Sequence, residues 1–268
     1  MRYALLSLLL CTVADAQPAV EGPLDRALAA VGADGRVDYG LLRGRLAPDL
    51  DAALAAVANQ DPAALRTDAQ RTAFLVNAYN AHVLAAVAAR PRARHIEREG
   101  LFDELFNRPV TVAGTSMTLD HLEHGVLRRQ DAVDGGSVPA ALRRLRPGRV
   151  DYRIHAALNC AAVGCPPLQR RAFRAATLGR DLDRAFQTFA ASDRAARRGG
   201  DRIVLSSLFD WFAADFETGG RRLGDVLLQA MPEPRARTFR DRLAGKSAAT
   251  LRRDRSVAFA YDWAINRR

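Results

Sequence analysis

The sequence predicts an α+β fold, a predominantly helical single domain with a few short antiparallel strands. Three observations carry this. Residues 68–90 are apolar nearly all round at helical spacing, which marks a central buried helix. Residues 109–118 alternate about Ala113-Gly114, which marks a hairpin. Finally, no internal repeat and no glycine-serine or proline-rich hinge divides residues 17–268. The composition, 49% hydrophobic and 26% charged, suits a globular chain rather than a disordered one.

The elements follow in chain order. Pro23 suits a first helical turn, so a helix starts near it, and Ala33-Asp34-Gly35 is a turn. Val37-Asp38-Tyr39 reads as extended or as a helix entry. Residues 48–59 are an alanine-rich helix, and Asp61-Pro62 opens another, with Asp as its cap. In 68–90, Phe74, Asn77, Ala81, Leu84 and Ala88 share one stripe; Leu75, Tyr79, Val83 and Ala86 make the opposite side apolar too. Asn77 and Asn80 must therefore find hydrogen-bond partners inside. Residues 119–129 are helical, capped by Thr118 or Asp120. Residues 131–137 form a polar loop, and 150–158 suit strand and helix equally. Residues 181–191 are helical with Gly179 outside. Residues 202–205 are a strand, Ser206 or Ser207 caps 208–216, and 223–231 and 236–243 are helices. Residues 257–265 are part strand.

The chain start predicts export. Arg2 precedes an apolar run at 3–13, followed by Ala14-Asp15-Ala16, the pattern of a secretory signal at 1–16 cut after Ala16. The run is shorter than the roughly 20 residues a bilayer requires. Cys11 follows the bulky Leu10, which speaks against a lipid anchor. The expected location is periplasmic or secreted. No other stretch reads as membrane-spanning, since 74–89 carries Asn77, Asn80 and His82. The net charge of +10 would suit an anionic partner. Lys246 is the only lysine among 40 basic residues, however, and the arginines are scattered in short pairs that no aromatics interleave. That points to codon bias and away from nucleic acid.

Two cysteines remain after export, Cys160 and Cys165, in a compartment that oxidises thiols. They lie with His155 and Asn159 within eleven residues. Three readings stay open: a disulfide that pins the loop, a nucleophilic thiol activated by an imidazole, and metal ligation. A disulfide across so short a loop would contribute only about 2 kcal/mol. His121 and His124 share a helix face, which permits joint metal binding with His155, while Glu123 beside His124 permits an orienting hydrogen bond. Asn77, Tyr79, Asn80 and Asn159 are candidates to position a substrate; the bland alternative is that the buried amides satisfy backbone groups. Phe209, Trp211, Phe212, Phe216, Tyr261 and Trp263 read as packing, with Asp210, Asp215 and Asp262 expected to pair with arginines. Walker, dinucleotide, Gly-x-Ser-x-Gly and Cys-x-x-Cys signatures are absent from the sequence, and no cofactor is expected.

Several segments together resemble a known family. They are Val37-Asp38-Tyr39, Ala73-Phe74-Leu75-Val76-Asn77-Ala78-Tyr79-Asn80-Ala81, residues 119–127 with Glu123-His124-Gly125, Arg153-Ile154-His155 through Asn159-Cys160 with Cys165-Pro166, residues 205–216, and Tyr261-Asp262-Trp263. In this order they are similar to the family known as domain of unknown function 547, over a core of residues 37–263. Leu75 departs from the aromatic common there. The resemblance implies a single shared domain in a bacterial exported protein and brings no established activity.

Beside metal-assisted hydrolysis through His121, His124 and His155, two functions result as expectations. One is a cysteine-dependent hydrolase or transferase acting on amide or ester bonds. Cys160 or Cys165 would be its nucleophile, His155 or His124 its base, and Glu123, Asn77 or Asn80 the group orienting that base. The other is a non-catalytic periplasmic binding or envelope-associated module stapled by a Cys160–Cys165 disulfide. The ligand would be a peptide or an anionic envelope component.

Overall fold

The computed structural model describes residues 20–268, so the expected signal at 1–16 lies outside the described residues. Helix Asp68–Ala88 organises the rest. Thr67 caps it by accepting from the Gln70 N–H, and the Gln70 side chain accepts from the Thr67 N–H in return, which satisfies two backbone donors at once. Fifteen of its 21 residues are buried, so neighbours surround it on almost every side. Helices Glu21–Ala27, Tyr39–Arg43 and Ala47–Asn59 pack along it, and their apolar faces join one continuous core.

Its buried amides hold loops in place. Asn77 donates to the Phe173 carbonyl at 2.8 Å and accepts from the Phe173 N–H at 2.9 Å. Asn80 donates to the Ala157 carbonyl and accepts from the Asn159 N–H, both at 2.9 Å. Each amide replaces water for a backbone segment with no sheet or helix partner there.

The hairpin pairs Val110–Val112 with Thr115–Met117, as the alternation predicts. Ala113 and Gly114 both take positive φ, 49° and 69°, as a tight two-residue turn requires. Ala113 tolerates this because both turn N–H groups donate to Val57 and Ala58, orphan carbonyls at the end of helix Ala47–Asn59. A second, two-residue ribbon pairs Ala132–Val133 with Gly136–Ser137 in what reads as a loop. In the third sheet, Ala196–Gly199 runs antiparallel to Arg202–Ser206, which pairs in parallel with Val257–Ala260. The helices between residues 208 and 253 provide the crossover that a parallel pair needs.

Several sequence expectations need correction. Asp61 caps only a single 3-10 turn, Pro62–Ala64. Gly179 lies inside helix Leu178–Ala190. The segment expected as one helix from 208 to 216 is two, Leu208–Trp211 and Ala213–Phe216, broken at Phe212. Helix Ala248–Arg253 carried no clear sequence signal. The segment after the hairpin is a π-helix, His121–Leu127, in which the Arg128 N–H reaches back five residues to Glu123. Thr118 rather than Asp120 caps its start. Gly125 makes this wide turn fit: a Cβ there would lie 2.9 Å from Val138 Cγ2.

Candidate active site

One cavity of about 380 Å³ collects side chains from seven segments. The central helix supplies Tyr79, and the π-helix supplies Glu123 and His124, with Asp120 and Arg128 at its two ends. The 3-10 helix Tyr152–Ala156 supplies His155; the Asp151 side chain caps it by accepting from the Arg153 N–H. Cys160, Cys165 and Pro166 come from the following loop, Leu208, Trp211 and Phe212 from the broken helix, Tyr261 and Trp263 from the C-terminal segment, and Phe102 and Phe106 from helix Leu101–Phe106.

The loop bearing the cysteines is tied from two directions. Asn159 donates to the Pro166 carbonyl and accepts from the Ala161 N–H and from Asn266. The C-terminal segment lies against it, with Val163 donating to Ala264 and Gly164 to Asp262. Gly164 is required there, since a Cβ would meet the Asp262 nitrogen at 2.8 Å. Cys160 and Cys165 are joined in a disulfide with Cα atoms 6.4 Å apart. The Tyr261 hydroxyl lies 2.9 Å from one sulfur and 3.0 Å from the other. Burial and then the nearby Glu123 charge push that phenol well up, so it keeps its proton as a donor.

The polar end of the cavity is a chain of hydrogen bonds. His155 is buried, and its Nε2 lies 2.8 Å from Asp215 Oδ2. Arg128 Nε donates to the same oxygen at 2.6 Å, and its Nη1 donates to His124 Nδ1 at 2.7 Å. Phe212 lies against both side chains, stacked on His155 at 4.0 Å and 11°, with the Arg128 guanidinium 4.7 Å from its ring centre. The break in the helix at Phe212 lets this ring lie flat on the imidazole while Trp211 faces outward. Glu123 accepts a hydrogen bond from the Tyr79 hydroxyl.

These contacts separate the titrations. Burial alone would raise Asp215, but the hydrogen bonds from His155 and Arg128 outweigh it and hold the carboxyl below its usual range. Burial lowers His155 despite the Asp215 bond, so the ring is neutral near neutral pH. Its proton then sits on Nε2, directed at Asp215. That leaves Nδ1 as an acceptor, and this buried atom has no hydrogen-bond partner among the described residues. Burial also lowers His124, with Arg128 adding to it. Glu123 is raised by burial, opposed by His155, Tyr79 and Arg128. A neutral base, an ionised orienting group and a carboxyl held towards its protonated form therefore share one wall.

The structure brings together Cys160, Cys165, His155, His124, Glu123 and Tyr79 from the sequence-derived candidates. It does not place Asn77, Asn80 or Asn159 on the cavity; their amides are engaged as backbone clamps. The group orienting the imidazole is Asp215 rather than Glu123, Asn77 or Asn80. Neither sulfur is hydrogen-bonded to an imidazole, and in a disulfide neither is a thiolate nucleophile. His121 turns its Nδ1 to Thr118 Oγ1 at 2.8 Å. Among the described residues no group of three His, Cys, Asp or Glu is placed to hold a metal ion.

Sequence reasoning missed Arg128 and Phe102 as site residues, and it took Trp211 and Trp263 for packing. Asp215 does pair with an arginine, as expected of the acids flanking the aromatics, and so does Asp210, with Arg252. Trp211, 47% exposed, and Phe102, 42% exposed, stand at the mouth with Trp263 between them. They are the large apolar side chains left open to solvent among the described residues, and both face the same cavity.

No helix among the described residues is long and apolar enough to cross a membrane. No curated protein and no solved structure matches the chain. A family model matches residues 62–190, which span the central helix, the π-helix, His155 and both cysteines, while Asp215 and the aromatic mouth lie beyond the matched segment. Over these residues the chain matches the family described as "Protein of unknown function, DUF547".

Proposed function

We propose that the cavity is the active site of a hydrolase or transferase acting on amide or ester bonds, in which His155 is the general base. The observation that carries this is the unpartnered Nδ1 of a neutral, buried imidazole whose other nitrogen is fixed by Asp215. A buried acceptor left open costs free energy unless a proton donor from a substrate or water fills it. Nδ1 takes a proton from an attacking water or acceptor hydroxyl, whose oxygen adds to the acyl carbon. Glu123, held towards its protonated form, returns a proton to the leaving nitrogen or oxygen. The aromatic mouth suits a substrate with a flat or apolar body. The disulfide is a staple of the cavity wall. A disulfide also fits the export read from the chain start, because such bonds persist in oxidising compartments.

The test is turnover of a panel of chromogenic esters and anilides by the full chain, His155→Gln and the double variant Cys160→Ser/Cys165→Ser. Loss of a general base lowers the rate by about 10² to 10⁴. The reading expects that loss in His155→Gln and retained activity in the double variant. Equal rates for wild type and His155→Gln would remove it.

A second reading is a binding module with no turnover. It is favoured by the polar wall's being largely hydrogen-bonded to itself through Arg128, Asp215 and His124. A ligand that quenches the two mouth tryptophans without being converted, and binds His155→Gln as tightly, would select it.

A further inference from the structure

A second hollow lies on the other side of the cysteine loop, with Pro166 lining the first cavity and Pro167 this one. Its volume is about 640 Å³. Arg170, Arg171, Arg174, Arg180 and Arg184 line it, and Asp181 is the one carboxylate among the lining residues.

The arginines differ in their engagement. Arg174 is neutralised by Asp25 and Glu21. The side chains of Arg170, Arg171, Arg180 and Arg184 form no ion pair and no hydrogen bond among the described residues, and all four are exposed. Arg180 and Arg184 stand one turn apart on helix Leu178–Ala190, whose other face carries Leu182, Phe186 and Phe189 into the core. Like charges at that spacing repel and destabilise a helix slightly. Among the described residues no carboxylate pairs with either guanidinium, and a bound anion would offset the repulsion.

The frame around these arginines is rigid. Phe173 is clamped by Asn77, and the Ala172 N–H donates to Asp25 at 2.7 Å. The opposite wall is the turn at 32–35. Gly35, with φ of 75°, lies so close to Pro167 that a Cβ would come within 2.7 Å of its Cα. A fixed hollow with four unpaired guanidinium forks is therefore present before any ligand arrives.

We propose that this groove binds a ligand bearing two or more phosphate groups. The guanidinium fork matches phosphate oxygens bidentately, and neighbouring forks on successive turns match successive phosphates. The volume exceeds what one phosphate fills and lies in the range of ligand sites. This inference does not depend on the chemistry read for the first cavity.

Titration calorimetry of the full chain with inorganic tripolyphosphate at low ionic strength tests it. Binding is expected, with affinity reduced about tenfold or more in Arg180→Gln/Arg184→Gln. A similar reduction is expected in Arg170→Gln/Arg171→Gln, and none in Arg197→Gln/Arg198→Gln on the strand Ala196–Gly199. The retained tryptophan emission of each variant would show that it folds. Absence of binding at millimolar tripolyphosphate, an equal loss in the strand variant, or equally tight binding of polyglutamate would overturn the proposal. A parallel arm uses phosphatidylcholine vesicles containing cardiolipin, whose headgroup carries two phosphates. Sedimentation with vesicles that tripolyphosphate reverses supports the proposal with lipid headgroups as the source. Tripolyphosphate binding without vesicle binding supports it with soluble or polymer-borne phosphate.

Discussion

At the scale of residues, Asp215 divides its charge between His155 and Arg128. One carboxylate oxygen receives both donors, so changing it affects two buried partners at once. Asp215→Asn should destabilise the fold by about 3 kcal/mol, because it leaves the guanidinium of Arg128 facing a neutral amide; chemical denaturation measures this. The pH response has a defined sign. Asp215 is depressed, so its stabilisation is present above its unfolded value and is lost as pH falls through the folded one. His155 is also depressed: below the ordinary imidazole value of 6.5 the unfolded chain takes a proton that the folded ring resists. Both therefore weaken the fold in acid, while Glu123, raised above its ordinary 4.5, opposes them as it takes up its proton. Melting temperatures taken from about pH 7 to about pH 5 should fall in wild type and fall less in His155→Gln. The same directions place the acid limb of the rate profile below 6.5. Residue chemistry was partly legible in the sequence. His155, Cys160, Glu123 and His124 stand in short motifs, but Asp215 lies 60 positions from the ring it orients, and only the fold joins them.

At the scale of elements, the site depends on two irregular helices. The π-turn His121–Leu127 aims Glu123 and His124 into one cavity, and Gly125 lets it sit on Val138. Gly125→Ala should force the turn outward, costing about 1–3 kcal/mol and reducing turnover while circular dichroism keeps its helical shape. Thr67→Ala, which breaks the capping box, should cost about 1 kcal/mol by the same denaturation measurement and leave turnover unchanged. The central helix and the hairpin were readable because periodicity and turn chemistry are local signals. The π-turn and the break at Phe212 were not, because both follow from contacts made across the fold. The same break explains why Trp211 read as core: the three-and-four spacing from Phe209 to Phe216 describes a continuous helix, and this one stops midway.

At the scale of the whole molecule, the long-range ties run to the C-terminal segment. Tyr261 reaches the disulfide, Asn266 joins Asn159 to Tyr39, and Ala264 and Asp262 hold the cysteine loop. The disulfide closes so short a loop that its removal should cost only about 2 kcal/mol, a fall of about 4–8 °C in Tm at this chain size. A cooperative transition should survive in the Cys160→Ser/Cys165→Ser protein, as scanning calorimetry would show. The spacing of the cysteines left disulfide, thiol and metal open because five positions suit all three; the loop's anchorage by Asn159 and the C-terminus is what joins the sulfurs.

The state of His155 is the claim on which the catalytic reading stands. Nitrogen-15 NMR of the chain's five histidines across pH tests it directly. One ring, assigned by its loss in His155→Gln, should keep the Nε2–H tautomer and stay neutral below 6.5, with Nδ1 unprotonated. A ring at 155 that titrates at the ordinary value, or that carries its proton on Nδ1, would contradict the account.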